Sequence, residues 1–190
     1  MKRFVRAVGI DDAPFEFTQD SCEVFFAVLR AQNYIEGMFR TTVEVDGLDA
    51  TERIISRLKT TRFFEQLDVI FLDGCTVAGF NVVDIEAIHR ATGLPVITVT
   101  RKKPDLAKIE RTLKQKFDDW EHRMAIISKM KLHCVEAVRK PVYVGIAGTD
   151  LASAKLFLKR FTVQGSIPEP VRIAHMLGSL FLLGETKGRS

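Results

Sequence analysis

The chain has only three cysteines, Cys22, Cys75 and Cys134, scattered and with no CxxC pair. That excludes a disulfide framework and gives no cysteine-based zinc site. No stretch approaches the roughly 18 apolar residues that span a bilayer, so no membrane partner is expected. There is one tryptophan, Trp120, and the 14 phenylalanines read mainly as core, so no aromatic strip interleaved with basic residues stands out for base stacking. P-loop, GxGxxG and GxSxG motifs are all missing. Internal repeats, low-complexity tracts and Pro/Gly/Ser linkers are missing too, which predicts one domain over residues 1–190. The opening MKRFVRAVGIDD lacks an apolar run ending in a cleavage site, so no signal peptide and a reduced, cytoplasmic setting are expected. Charge imbalance is small: 28 Lys and Arg against 24 Asp and Glu, a formal +4 that permits a DNA or RNA partner without demanding one.

What is present is the composition of an ordinary globular domain, 46% hydrophobic and 27% charged over 190 residues, long enough for a sizeable core. Residues 4–10 alternate apolar and other side chains and stop at Asp11-Asp12-Ala13-Pro14, a strand ending in a turn. Residues 23–30 and 34–46 read as two more strands, with a turn at Gln32-Asn33, so the chain opens with an antiparallel meander. Asp49 then opens a helix as its N-cap, with Glu52 three residues on. Residues 68–72 form a short apolar run of the kind buried on both sheet faces, ending in Asp73-Gly74. Further strands are predicted at 95–99 and 141–146. Helices are predicted at 81–92, 104–138 (as one or two), 151–161 and 168–183, and residues 184–190 read as a loose tail. One mixed sheet with helices on both faces accommodates this order.

Two of these strands end in acid. Asp11 and Asp73 would face each other across the crevice at the strand carboxyl ends if their strands are neighbours. Glu52, in the first turn of the following helix, could reach the same place. Converging carboxylates are costly unless a cation neutralises them, and Mg²⁺ or Mn²⁺ prefers such oxygen ligands. Each residue alone has a plainer reading as a turn or cap residue.

The segments Gly9-Ile10-Asp11, Asp73-Gly74, Pro141-Val142-Tyr143-Val144 and Ile167-Pro168-Glu169-Pro170-Val171-Arg172-Ile173-Ala174 resemble the endonuclease V family. The runs GIDDAPF, VDGLDATE, FLDG, AGFNVVDI, TGLPVI and IPEPVRIAH, spread from Val8 to His175, more closely resemble a mainly archaeal family related to it. The resemblance implies a ribonuclease H-like three-layer α/β fold and Mg²⁺-dependent cleavage of nucleic acid near deaminated bases, inosine above all. It implies Asp11, Glu52, Asp73 and Arg101 as the catalytic set. Asp11 and Asp73 would hold Mg²⁺ or Mn²⁺, Glu52 would orient water, and Arg101 would stabilise phosphate charge. The chain also departs from the pattern. Thr149 stands where the family has histidine in a Gly-His pair, with Asp150 as an alternative ligand. Residues 42–46 lack the family's Pro-Tyr-Ile-Pro wedge, and residues 75–81 lack its His-Pro-Arg run. Two other readings therefore stay open: an inactive nucleic-acid- or protein-binding module, and a different phosphoester or nucleotide enzyme using the same crevice.

Other residues have plainer readings. Asp12 points away from Asp11 and suits a turn. Asn81 and Asp84 suit a helix start, whose N–H groups could also meet a phosphate. Arg172 and His175 share a helix face, and Arg172 either pairs with Glu169 or meets phosphate. His89 and His122 read as solvated, Cys75 as a small core residue, and the basic stretches 101–103 and 129–131 as solvated ends or phosphate contacts.

Overall fold

Strand-forming Val and Phe, alternating with smaller residues, build β1 (Arg6–Asp12), β2 (Ser21–Arg30) and β3 (Tyr34–Glu44), paired antiparallel in sequence. In this computed structural model residues 5–31, 34–137 and 139–186 are described. The expected turn at Gln32-Asn33 and most of the expected tail lie outside them. Helix α1 (Ala50–Thr60) follows, then β4 (Val69–Asp73), which lies parallel to β1 on its other side. A two-residue hairpin, β5 (Thr76–Val77) and β6 (Asn81–Val82), forms a small sheet of its own. After it come α2 (Ile85–Thr92), β7 (Val96–Thr100), α3 (Leu106–Lys116), α4 (Trp120–Lys129), β8 (Leu132–Val135), β9 (Val142–Ala147), α5 (Leu151–Phe161) and α6 (Glu169–Leu183). The seven-stranded sheet has the order β3-β2-β1-β4-β7-β9-β8. Only β1, β4 and β7 run parallel as neighbours; β9 and β8 close that side antiparallel.

Three differences from the sequence-based expectation have local causes. Residues 81–84 are not helical: Asn81 belongs to β6, and α2 starts one residue after Asp84, whose carboxylate accepts the Ala87 N–H (2.9 Å). Asn81 is wholly buried and caps a different helix, accepting the Ala50 N–H (3.0 Å) and donating to the Glu44 carbonyl (2.9 Å). The helical stretch expected to 138 ends at Lys129, and β8 follows as a short, half-exposed edge strand.

The register separates the two faces. Ile10, Phe26 and Phe39 lie in one cross-strand row, and Phe39 is covered by Arg57 of α1. Asp11, Phe25 and Arg40 lie in the next row, on the opposite face, where Phe181 of α6 covers Phe25 and Arg40. Gly9 and Phe71 also share that second face, and Phe161 of α5 packs edge-on against Phe71. So α1 and α6 sandwich the sheet, and the core fills both layers. A second, smaller core of Val82, Leu113 and Ile127 joins α3 and α4 to the hairpin.

One glycine sets the seat of α6. A Cβ on Gly9 would fall inside the backbone of Pro170, so helix and strand touch main chain to main chain there. From Pro170 to His175 a helix rises roughly 7.5 Å. From Gly9 to Asp11 a strand advances roughly 6.6 Å. The close approach therefore delivers His175 over Asp11.

Candidate active site

Parallel pairing aligns Ile10 with Leu72, so Asp11 and Asp73 follow side by side at the carboxyl ends of two adjacent central strands. Asp11 is only 5% exposed. Its Oδ2 lies 2.8 Å from Nδ1 of His175, and its Oδ1 accepts the Asp12 N–H (3.0 Å). Burial pushes the Asp11 carboxyl up to about 7, against the pull of the His175 hydrogen bond and with a further push from the charges of Asp73 and Asp12. Asp73 is raised as well, first by burial; Arg101 and His175 draw it back and Asp12 pushes it up. The His175 imidazole is raised, chiefly by its bond to Asp11. Its side chain is 55% exposed, so the ring touches the acid on one edge and open space on the other.

That space is a cleft of about 770 Å³ between α6, the end of β7 and the two segments 139–141 and 163–167. Asp73, His175, Arg101, Arg139, Lys140 and Arg172 line it together. Arg172 is bound to Glu169 through Nη2 and Oε2 (2.6 Å). The side chains of Arg101, Arg139 and Lys140 have no carboxylate partner among the described residues. The rim they stand on is fixed by backbone bonds: Arg139 N–H donates to the Gly165 carbonyl (3.2 Å), and Lys140 N–H to Ser166 Oγ (3.0 Å). A cleft lined by Asp73 and by three cations without an ion-paired carboxylate among the described residues suits a phosphoester, whose non-bridging oxygens seek cations.

The structure thus brings three of the four candidate residues, Asp11, Asp73 and Arg101, to one place. It does not bring Glu52 there. That side chain is exposed on α1, the helix covering the opposite face, and is absent from the charges acting on Asp11 and Asp73. Asp12 behaves as expected of a turn residue, accepting the Ala78 N–H (2.6 Å) on the far side. Asp150 cannot stand in for the missing histidine. Because β9 runs antiparallel to β7, it ends at the opposite edge of the sheet, and Asp150 caps α5 there by accepting the Ser153 N–H (2.7 Å). The Cys75 thiol is pushed up to about 11 by burial, which keeps it unreactive. His89 is not simply solvated: its Nδ1 lies 2.8 Å from the Leu94 carbonyl oxygen, against Gly148. Sequence reasoning gave His175 no more than a shared face with Arg172 and passed over Arg139 and Lys140. The run IPEPVRIAH was the available signal.

A divalent cation fits this donor set by its chemistry. Two adjacent carboxylates, Asp11 buried and Asp73 half-buried and both raised by desolvation, carry charge that one half-exposed imidazole and Arg101 do not balance. Among the described residues no three or more His, Cys, Asp or Glu side chains are grouped to enclose a metal. An ion that keeps most of its waters and takes only one or two carboxylates, as Mg²⁺ does, is the kind that suits such a pair. Among the described residues no helix is long and apolar enough to cross a membrane.

The fold has solved counterparts. The crystal structure of a protein of unknown function from Archaeoglobus fulgidus superposes with a TM-score of 0.84 at 34% identity, covering 93% of this chain and 98% of that one. Endonuclease V of Ciona intestinalis, solved with an inosine-containing DNA, superposes with a TM-score of 0.66 at 16% identity over 96% of this chain and 87% of its own. At that identity the likeness establishes the ribonuclease H-like fold. In sequence, a UPF0215 protein of Methanothermobacter thermautotrophicus is 44% identical over 99% of this chain and 93% of its own. One from Thermococcus kodakarensis is 38% identical over 98% and 97%. Residues 3–182 match the endonuclease dU family, and the chain belongs to that family.

Proposed function

We propose that this chain is a divalent-cation-dependent endonuclease acting on DNA at a deaminated nucleotide, deoxyuridine in particular. One observation carries the reading: buried Asp11 and half-buried Asp73 sit side by side at the sheet's carboxyl edge, and Asp73 lines a cleft with Arg101, Arg139 and Lys140, which have no ion pair to a carboxylate among the described residues. Two comparisons support it. The family's description is endonuclease dU, which we read as deoxyuridine, and the ribonuclease H-like fold is shared with an endonuclease V crystallised on DNA. The absence of a Pro-Tyr-Ile-Pro wedge at residues 42–46 agrees with a marked base other than inosine.

In this reading Asp11 and Asp73 hold the cation, Mg²⁺ or Mn²⁺. When bound, such an ion polarises a phosphoryl oxygen and makes water a better nucleophile at neutral pH. Arg101, Arg139 and Lys140 draw the strand in and hold its phosphates. Arg101, nearest Asp73 in charge, neutralises the phosphate at the scissile position. The 2.8 Å contact between Asp11 and His175 requires one proton between them. With that proton on Nδ1, Nε2 is the nitrogen left for the substrate. The bond to Asp11 raises the imidazole and so favours the protonated ring, whose Nε2–H would be the proton donor to the departing sugar oxygen. Glu52 has no part in the reaction.

The test is cleavage of end-labelled single- and double-stranded DNA carrying one deoxyuridine, one deoxyinosine or neither, in Mg²⁺ and in Mn²⁺. The native chain should cut the deoxyuridine strands preferentially, and Asp73→Asn should not. Equal cutting by both proteins, or none by either, would end this reading. Binding without cutting would leave a binding module.

A further inference from the structure

Phe17 is the most exposed large hydrophobic side chain described, at 64%. It stands in the loop joining β1 to β2, five residues beyond Asp12. Exposure of one ring is unremarked on most surfaces, but this ring is held from its inner side. Phe15 meets it edge-on with centroids 5.2 Å apart. Its loop is tied down by the Ala13 N–H to the Glu23 carbonyl (2.8 Å) and by reciprocal bonds between Glu16 and Gln19. The β5–β6 hairpin passes so close that a Cβ on Gly79 would lie 3.3 Å from Phe17 Cε1.

That hairpin is held in unfavourable backbone. Ala78 has φ +48° and Asp46, which grips it, has φ +55°. Two carboxylates hold the pair in place: Asp12 accepts the Ala78 N–H (2.6 Å), and Asp46 accepts the Phe80 N–H (2.7 Å). Positive φ outside glycine is retained where surrounding structure enforces it, and such outliers gather at functional sites. Here the strain supports an exposed ring tethered to the residue next to Asp11. A cation completes the arrangement: Nζ of Lys116 lies 4.8 Å from the ring centroid. Lys116 ends α3, whose eleven residues carry four basic side chains and one acidic one.

From these observations we infer that Phe17, with Lys116 beside it, is a base-stacking contact for the nucleic-acid strand, on the side of the acid pair away from the basic cleft. A rigid aromatic face flanked by a cation is what an unpaired base and its phosphate require. The six residues from Asp11 to Phe17 reach at most roughly 21 Å. At roughly 3.4 Å per nucleotide along one strand, the stacked base stands within about six nucleotides of the phosphate over Asp11. The inference rests on the nuclease reading for the polymer, and its test separates the two.

The experiment is fluorescence-anisotropy binding of a labelled deoxyuridine-containing oligonucleotide in EDTA, where no metal-dependent cutting occurs, over a series of salt concentrations. Phe17→Ala should weaken binding about 5- to 150-fold at every salt concentration, the cost of losing one stacked base. Phe17→Trp should keep the affinity, with indole emission quenched by DNA beyond any change shown by Trp120 alone. Lys116→Ala should reduce the salt slope by about 0.7–0.9, one phosphate contact. The ring is exposed, so Phe17→Ala should melt like the native chain. If Phe17→Ala binds as tightly as the native chain, the inference falls, even where cleavage proves the nuclease. If Phe17→Ala weakens binding but no protein cuts, the stacking contact stands and the nuclease reading falls. If the native chain binds no DNA, both fall.

Discussion

The imidazole that meets the Asp11 carboxyl comes from 164 residues further along the chain. The imidazole of His175 is raised mainly because it donates to this carboxylate. In Asp11→Asn that cause is gone, and the His175 ring should titrate lower than in the native protein, followed by its proton NMR signal against pH. An unchanged titration would remove Asp11 as the cause. His175→Ala should lower cleavage by about 10²- to 10⁴-fold, the usual contribution of a positioned proton donor, while leaving Phe17-dependent binding in place. Glu52→Gln should cut at the native rate, because its side chain is exposed on the helix of the opposite face. At this scale the sequence revealed acids but not their company. Asp11 and Asp73 are legible because each ends a strand. Arg101 is legible because it follows one. His175 is not, because a helix residue over a sheet is located only by how the helix docks. Asp150 misled for the same reason: strand direction, which no single residue reveals, places it at the far edge.

Elements were easier to read than their partners. Strands β1, β2, β4, β7 and β9 carry dense apolar runs, and their expected positions lie within a residue or two of the observed ones. Strands of two residues, such as β5 and β6, have no period to detect. Four residues at a half-exposed edge, as in β8, carry little more and were absorbed into the helical pattern before them. The seating of α6 on β1 was likewise invisible, since it depends on Gly9 lacking a side chain. Gly9→Ala should therefore lift α6 off the sheet. We expect a loss of about 1–3 kcal/mol from overpacking, seen as a lower urea midpoint. Cleavage should fall further than stability, because His175 would move away from Asp11. An alanine protein with native activity would show that α6 adjusts without disturbing the pair.

Across the whole molecule the buried acids tie stability to pH in an unusual direction. The folded value of Asp11, about 7, exceeds its ordinary 3.8. Its contribution is fully present below 3.8 and is lost as pH rises through about 7. Asp12, Asp73 and His175 are displaced in the same sense. The lowered carboxylates Asp49, Asp119 and Asp150 titrate below the window between pH 5 and 8 and do not mask the trend. The metal-free protein should melt at lower temperature at pH 8 than at pH 5.5. At pH 8, Mn²⁺ should raise Tm by several degrees, since about 1 kcal/mol shifts Tm by roughly 2–4 °C at this size. Asp11→Asn should flatten the pH dependence, and a Tm indifferent to Mn²⁺ in the native chain would argue against the carboxylate pair as a cation site. The 164 positions between Asp11 and His175 also have a consequence for synthesis. A ribosome makes the two acids and most of the sheet well before it makes the helix that completes the cleft. During that interval the acids lack the imidazole and the sheet face that α6 will cover is bare. The Asp11–His175 contact, and with it the finished cleft, therefore forms only once α6 has been made and has docked on β1.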